Sequence, residues 1–174
     1  MENLIKGTDE YHGDYPDRLG LRMTVEFTAG QECDITFTHD SDFANMTGTI
    51  TTTPAYELRA KSNDGAWISF GDYMRKEMHR LDYQEPSLEW TMFLYTRSED
   101  GKLTFRENIG EDYKYHIQPD SSLTLYVNFR HAYGELPPGT YLLIKDVTLT
   151  TEEGETHTSW YYAEFAVVDE NNAE

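Results

Sequence analysis

Ser121-Ser122-Leu123-Thr124-Leu125-Tyr126-Val127-Asn128-Phe129 and, four residues on, Tyr133-Gly134-Glu135-Leu136-Pro137-Pro138-Gly139-Thr140-Tyr141-Leu142-Leu143-Ile144-Lys145 form the stretch that decides the fold. In the first part Leu123, Leu125, Val127 and Phe129 recur at every second residue, the period of a strand with one buried face. The second part leads into another apolar strand through Leu142, Leu143 and Ile144. Between them Pro137 and Pro138 remove two backbone donors and fix φ, and Gly139 is expected to supply the left-handed turn that returns the chain. A tyrosine two residues after such a turn, at the head of a strand, has the pattern of the tyrosine corner of a Greek-key sandwich. Leu136, Pro137, Pro138, Gly139 and Tyr141 are therefore the residues expected to build that corner.

Toward the N-terminus, Leu21, Met23, Val25 and Phe27 alternate with Arg22, Thr24, Glu26 and Thr28 and predict a strand; Cys33 to Thr38 predicts the next. The Thr-rich run from Thr47 to Thr53 stops at Pro54, which predicts a sheet edge because proline cannot donate to a ladder. Tyr56, Leu58 and Ala60 face Trp67, Ile68 and Phe70 across Asp64-Gly65, a hairpin signal. From Gly71 to Ser87 the period changes. Met74, Met78 and Leu81 at i, i+4 and i+7 predict one short amphipathic helix in an insertion over 71–87. Leu88 to Tyr95 reads as a strand apolar on both faces, and Leu103-Thr104-Phe105 as a short strand after the Glu99-Asp100-Gly101-Lys102 turn. Trp160 to Val168 closes the fold with Ala163, Phe165 and Val167 on one face, ahead of an acidic tail over 169–174. With residues 1–20 as an arm, the chain is expected to be all-β: one antiparallel immunoglobulin-like β-sandwich over 21–168 with one short inserted helix.

Composition narrows the function classes. The 174 residues carry 32 Asp and Glu against 14 Lys and Arg, a net charge of −18. Such a field repels phosphate backbones and anionic lipid heads, so neither a nucleic acid nor insertion into a membrane is expected. A well-solvated surface accounts for most of this acidity; attraction of a basic partner is the sharper reading. Apolar residues make up 38% and aromatics 14%, enough for a core without disulfides or metals. The single Cys33 alternates with Ile35 and Phe37, which reads as a buried hydrophobe, not as a reactive thiol. No apolar run reaches the roughly 20 residues of a membrane span. The opening Met1-Glu2-Asn3-Leu4-Ile5-Lys6 is not a signal peptide, and these residues do not decide whether an export signal belongs ahead of them.

Catalytic patterns are missing. His12, His39, His79, His116, His131 and His157 never fall at the spacing of a zinc pair, so no metal or other cofactor is expected. Asp40-Ser41-Asp42-Phe43-Ala44-Asn45 opens like a calcium loop but lacks the sixth-position glycine and the twelfth-position glutamate. There is no nucleophile elbow and no phosphate-cradling glycine loop. Arg75-Lys76-Glu77-Met78-His79-Arg80 is a basic island that either balances the acidic sheet beside it or contacts an anion.

Several segments together resemble the bacterial Ig-like domain of Gram-positive cell-envelope proteins and lipoproteins: Leu21 to Phe27 with Asp34 to Phe37, Tyr56-Glu57-Leu58 with Asp64-Gly65-Ala66-Trp67, Ile117-Gln118-Pro119, Tyr133 to Tyr141 with Lys145, and Ala163-Glu164-Phe165. The strongest section runs from Ile117 to Lys145. The chain departs from the pattern at 71–87 and at 106–115, which carry much of its excess over the about 100 residues of an ordinary Ig domain. The resemblance implies an exported, cell-envelope setting, a cytoplasmic one being the alternative, and it brings no catalytic residues. The expected role is a non-enzymatic module for protein–protein interaction or spacing. The alternative is a carbohydrate-binding module.

The residues expected to carry binding come from the outward sides of the last two strands. If Tyr141 and Leu143 face the core, Leu142 and Ile144 face out; if Phe165 and Val167 face in, Tyr162 faces out with Trp160 near it. An outer face should alternate to polar residues, so either the Met74-Met78-Leu81 helix covers this one or a partner docks there. Trp160, Tyr162 and Tyr126 form the aromatic platform that the carbohydrate reading requires.

Overall fold

A computed structural model describes residues 4–6, 19–28, 31–87, 91–107 and 109–169. Two sheets stack face to face with apolar side chains between them. The first has five strands in the order β2 (Leu19–Thr28), β3 (Glu32–Ala44), β10 (Ser122–Asn128), β7 (Tyr95–Arg97) and β8 (Leu103–Phe105), all antiparallel. The second has seven strands. Its path runs β1 (Leu4–Lys6), β12 (Thr156–Val167), β11 (Gly139–Thr150), β4 (Thr49–Thr52) and β9 (Tyr115–Ile117). On this sheet β5 (Glu57–Lys61) also pairs with β11, and β6 (Trp67–Ser69) pairs with β5. The neighbour order β2-β3-β10-β7 in one layer and β12-β11-β5 in the other is the A-B-E-D and G-F-C order of an immunoglobulin sandwich. The fold is an all-β Ig-like sandwich.

Its corner is built as the prolines require. Tyr141 is fully buried and its hydroxyl donates to the Pro137 carbonyl oxygen at 2.5 Å. Leu136 is buried beside Gln31, whose side-chain oxygen accepts from the Leu136 amide at 3.0 Å. The role of Gly139 differs from the one expected. It is not among the glycines with left-handed φ; that conformation belongs to Gly134, at φ 75°, which ends α2 (Phe129–Tyr133). A Cβ on Gly139 would lie 2.8 Å from the Tyr73 hydroxyl oxygen, so glycine is needed there for close approach.

Three further expectations are corrected. The 47–53 segment is not an edge: β4 pairs with both β11 and β9. Pro54 is accommodated by a bulge, in which the five residues 52–56 face only the three residues 145–147 of β11. The helix of 71–87 is shorter and earlier than its methionine spacing predicts. It comprises α1 (Phe70–Asp72) and one π-helical turn (Tyr73–Glu77). Phe70, Tyr73 and Met74 are buried in the main core, whereas Leu81 lies past the helix and is 83% exposed. Of the expected strand over 88–95, residues 88–90 lie outside the described residues; Met92 and Phe93 are buried, with a single isolated bridge from Met92 to Ala55, and Tyr95 begins β7. The arm contributes β1, parallel to β12; its residues 7–18, and the tail from 170 onward, lie outside the described residues.

Candidate functional site

The outer face of β11 and β12 does not assemble as a docking surface. Leu142 lies between Arg59 and Glu164, and Ile144 between Glu57 and Tyr162. Both Leu142 and Ile144 are buried, while Trp160 is exposed and Tyr162 half-buried. The expected cover is corrected too. The Phe70–Glu77 helix packs on the opposite, inward side, where the Phe70 and Tyr73 rings meet Tyr141 at 6.0 and 5.9 Å. Tyr126 belongs to the other sheet altogether, so Trp160, Tyr162 and Tyr126 form no common platform.

Tyr126 instead enters a different constellation. Its register partner on β7 is Tyr95, whose partner on β8 is Phe105. Directly paired residues of antiparallel strands share a face, so the three rings stand in a row on the solvent side of the five-stranded sheet. Ring centroids are 6.1 Å apart for Tyr126 and Tyr95, and 5.1 Å for Tyr95 and Phe105. Beyond Tyr126 the chain at 92–94 leaves β10: the Phe93 amide donates to the Pro54 carbonyl oxygen, and Met92 bridges to Ala55. The two segments splay, and a groove of about 490 Å³ opens between them, lined by Met92, Leu94, Leu103, Asn128 and His131 together with the rings.

The groove has a stiff polar rim. The Arg97 guanidinium lies 5.2 Å over the Tyr126 ring and pairs with Asp34 at 2.8 Å. The Tyr126 hydroxyl donates to the Glu32 carboxylate. Burial, and then that carboxylate, push the Tyr126 phenol up to about 12. Asn128 caps α2 by accepting from the His131 amide at 3.1 Å, which anchors one wall.

The ribbon does not bury its apolar side chains. On β7 and β8 one side carries the half-buried Thr96, in register with the buried Leu125, and the exposed Thr104; the outer side carries Tyr95, Leu103 and Phe105, all exposed. Among the described residues, three of the seven large apolar side chains that are exposed sit on these six positions. No protein-family model matches the chain, and no curated protein matches it.

Elsewhere the polar clusters are locked into structure. His39, Ser41 and Asp120 lie together, but His39 Nδ1 accepts from the Asp120 amide at 3.0 Å while the Ser41 hydroxyl donates to Asp120 at 3.0 Å. The imidazole therefore serves the Asp120 backbone and not the Ser41 hydroxyl, so the three do not form a serine–histidine pair. The Ser41 amide and hydroxyl also hold the Asp120 carboxyl below the usual range. Burial pushes the Cys33 thiol well up. Among the described residues no group of three or more His, Cys, Asp or Glu is placed to hold a metal.

Lys145 is the least expected interior group. Its side chain is fully buried, and its Nζ donates to Thr52 Oγ1 at 2.6 Å and to the Thr53 carbonyl oxygen at 2.5 Å. It thereby supplies donors that the Pro54 bulge lacks. Burial brings the ammonium down to about 8, against the pull of Asp146 at 3.7 Å. The groove and Lys145 were both missed in the sequence. Only the Asp100-Gly101 turn, by setting Tyr95 opposite Phe105, carried a signal for the first.

Proposed function

We propose that this chain is a non-enzymatic Ig-like binding module that engages another protein through the groove on β7, β8 and the end of β10. One observation carries the reading: the ribbon leaves Tyr95, Leu103 and Phe105 exposed on its outer side, in a row with the Tyr126 ring. Folding alone gains nothing from apolar side chains placed where they stay in water, and burying them is worth roughly 25 cal/mol per Å². The arrangement becomes favourable when a partner covers those rings. Strand β8 also ends its sheet, so it presents unpaired backbone groups to which an extended partner segment can add. The bacterial cell-envelope setting rests on the family resemblance, strongest over Ile117 to Lys145.

The test is co-purification from a cell-envelope extract, followed by reconstitution with the purified partner. A one-to-one complex lost in Tyr95→Ser and Phe105→Ser, with melting curves unchanged, supports the proposal. A complex that survives both substitutions overturns it.

A carbohydrate ligand is the second reading, favoured by Asn128 and His131 beside the row of rings. The rings are inclined at 84° and 45° to their neighbours, so a sugar would meet them singly and not on a flat platform. Glycan-array binding lost in Tyr95→Ala but kept in Trp160→Ala would move the assignment to this reading.

A further inference from the structure

The other side of the β7–β8 ribbon opens onto a separate cleft of about 360 Å³, between that ribbon and edge strand β9. Thr96, Thr104 and Arg106 line it from the ribbon, Lys114 and His116 from β9 and its approach. No Asp or Glu is among its lining residues, in a chain where acids outnumber Lys and Arg by 32 to 14. Its size falls within the range of small-molecule sites, about 300–1,000 Å³.

The cations in this cleft are available to a ligand. Arg97 also borders it, but its guanidinium is taken by Asp34 on the outer side of the sheet. The ion pairs among the described residues engage Arg59, Arg75, Lys76, Arg97 and Lys145, and leave Arg106 and Lys114 without a carboxylate partner. Phe105 turns into the aromatic groove against Tyr95, so alternation turns Arg106 the other way. Its charge is felt there by the Tyr115 hydroxyl, which donates to the Phe93 carbonyl oxygen at 2.9 Å. Two positive charges on facing walls repel each other, and an anion seated between them relieves that repulsion. The hydroxyls of Thr96 and Thr104 suit a ligand body that both donates and accepts hydrogen bonds.

We propose that this cleft binds a small hydroxyl-rich anion, a sugar unit bearing a carboxylate or a phosphate, with Arg106 and Lys114 on the acid group and Thr96 and Thr104 on the hydroxyls. The site is independent of the aromatic groove and does not require the protein partner proposed above.

Calorimetric titration of the whole chain with glucuronate, glucose 6-phosphate, glucose and inorganic phosphate tests it and separates the two sources of charge. At least one charged sugar is expected to bind, glucose is not, and binding should weaken several-fold between about 20 and about 200 mM NaCl. Arg106→Gln and Lys114→Gln should each lower affinity about tenfold. Both side chains are exposed, so their melting curves should match the parent, and Leu103→Ser in the groove should leave the titration unchanged. Glucose binding as tightly as the charged sugars would overturn the proposal. So would phosphate binding as tightly as glucose 6-phosphate, affinity unchanged in both variants, or no binding of any charged sugar at about 10 mM.

Discussion

Two hairpins of this molecule share strand geometry and differ in how far the core reaches beneath them. In β11 and β12 the inward positions Tyr141, Leu143, Val147, Leu149 and Tyr161 are each fully buried. In β7 and β8 Tyr95, Leu103 and Phe105 are exposed on the outer side, and on the other side Thr104 is exposed too and Thr96 half-buried. The first hairpin is long and lies mid-sheet, so burial decides which side each residue takes. The second has three residues per strand and ends the sheet, where the core no longer reaches. There folding leaves the residue choice free, and under the function proposed above the aromatics serve recognition.

The comparison is sharpest at its extremes. Leu143→Ala is expected to lower stability by about 2–5 kcal/mol in a denaturant titration, because it opens a cavity where neighbours cannot collapse. A loss under 1 kcal/mol would mean that the central hairpin is no better packed than the peripheral one.

Lys145 tests the same hairpin through pH. An unfolded lysine titrates near 10.5 and this one near 8, so below pH 8 both states hold the proton and the full burial penalty is present. Between pH 8 and 10.5 the unfolded chain binds more protons, and stability rises with pH. A separation of roughly 2.5 pKa units corresponds to about 3 kcal/mol. The tyrosines work the other way. Burial raises Tyr115 and Tyr133 to about 12, so the folded state keeps their protons longer and loses stability as pH passes 10. In unfolding free energies from pH 7 to 9.5 the parent should therefore gain stability relative to Lys145→Met, a difference in which the opposing contribution of the buried Cys33 thiol cancels. A difference that stays constant with pH would place the ammonium in contact with water.

How much of this was legible follows from how local each cause is. The corner could be read because prolines and period two act within a few residues, and Tyr141 meets Pro137 only four positions away. The need for Gly139 could not, since it is set by Tyr73, far off in the chain. Pro54 reads as an edge until the bulge and Lys145, some 90 residues on, are known. The methionine spacing of 71–87 holds at Met74 and Met78, which pack on the core with Phe70 and Tyr73, but fails at Leu81 because the π turn ends before it. Three-residue strands such as β7 and β8 are too short for a period to show which face is wet.

Tyr141→Phe keeps the ring and removes only its hydroxyl. The Pro137 carbonyl oxygen then loses its donor, and stability should fall by about 1–3 kcal/mol. An unchanged midpoint in denaturant would mean that water reaches that oxygen and the corner is held by its prolines alone.

The smallest expected effect is the most telling. Phe105 is half exposed and belongs to an edge strand, so Phe105→Ser should change stability by no more than about 0.5 kcal/mol. It removes apolar area from water in both the folded and the unfolded chain, and the two contributions nearly cancel. A loss of 2 kcal/mol or more would show that the ring is structural, making the ribbon another part of the core and leaving no reason for a partner. Near-neutral stability has the opposite consequence. An aromatic side chain in water that contributes nothing to folding is explained by what it meets outside the fold.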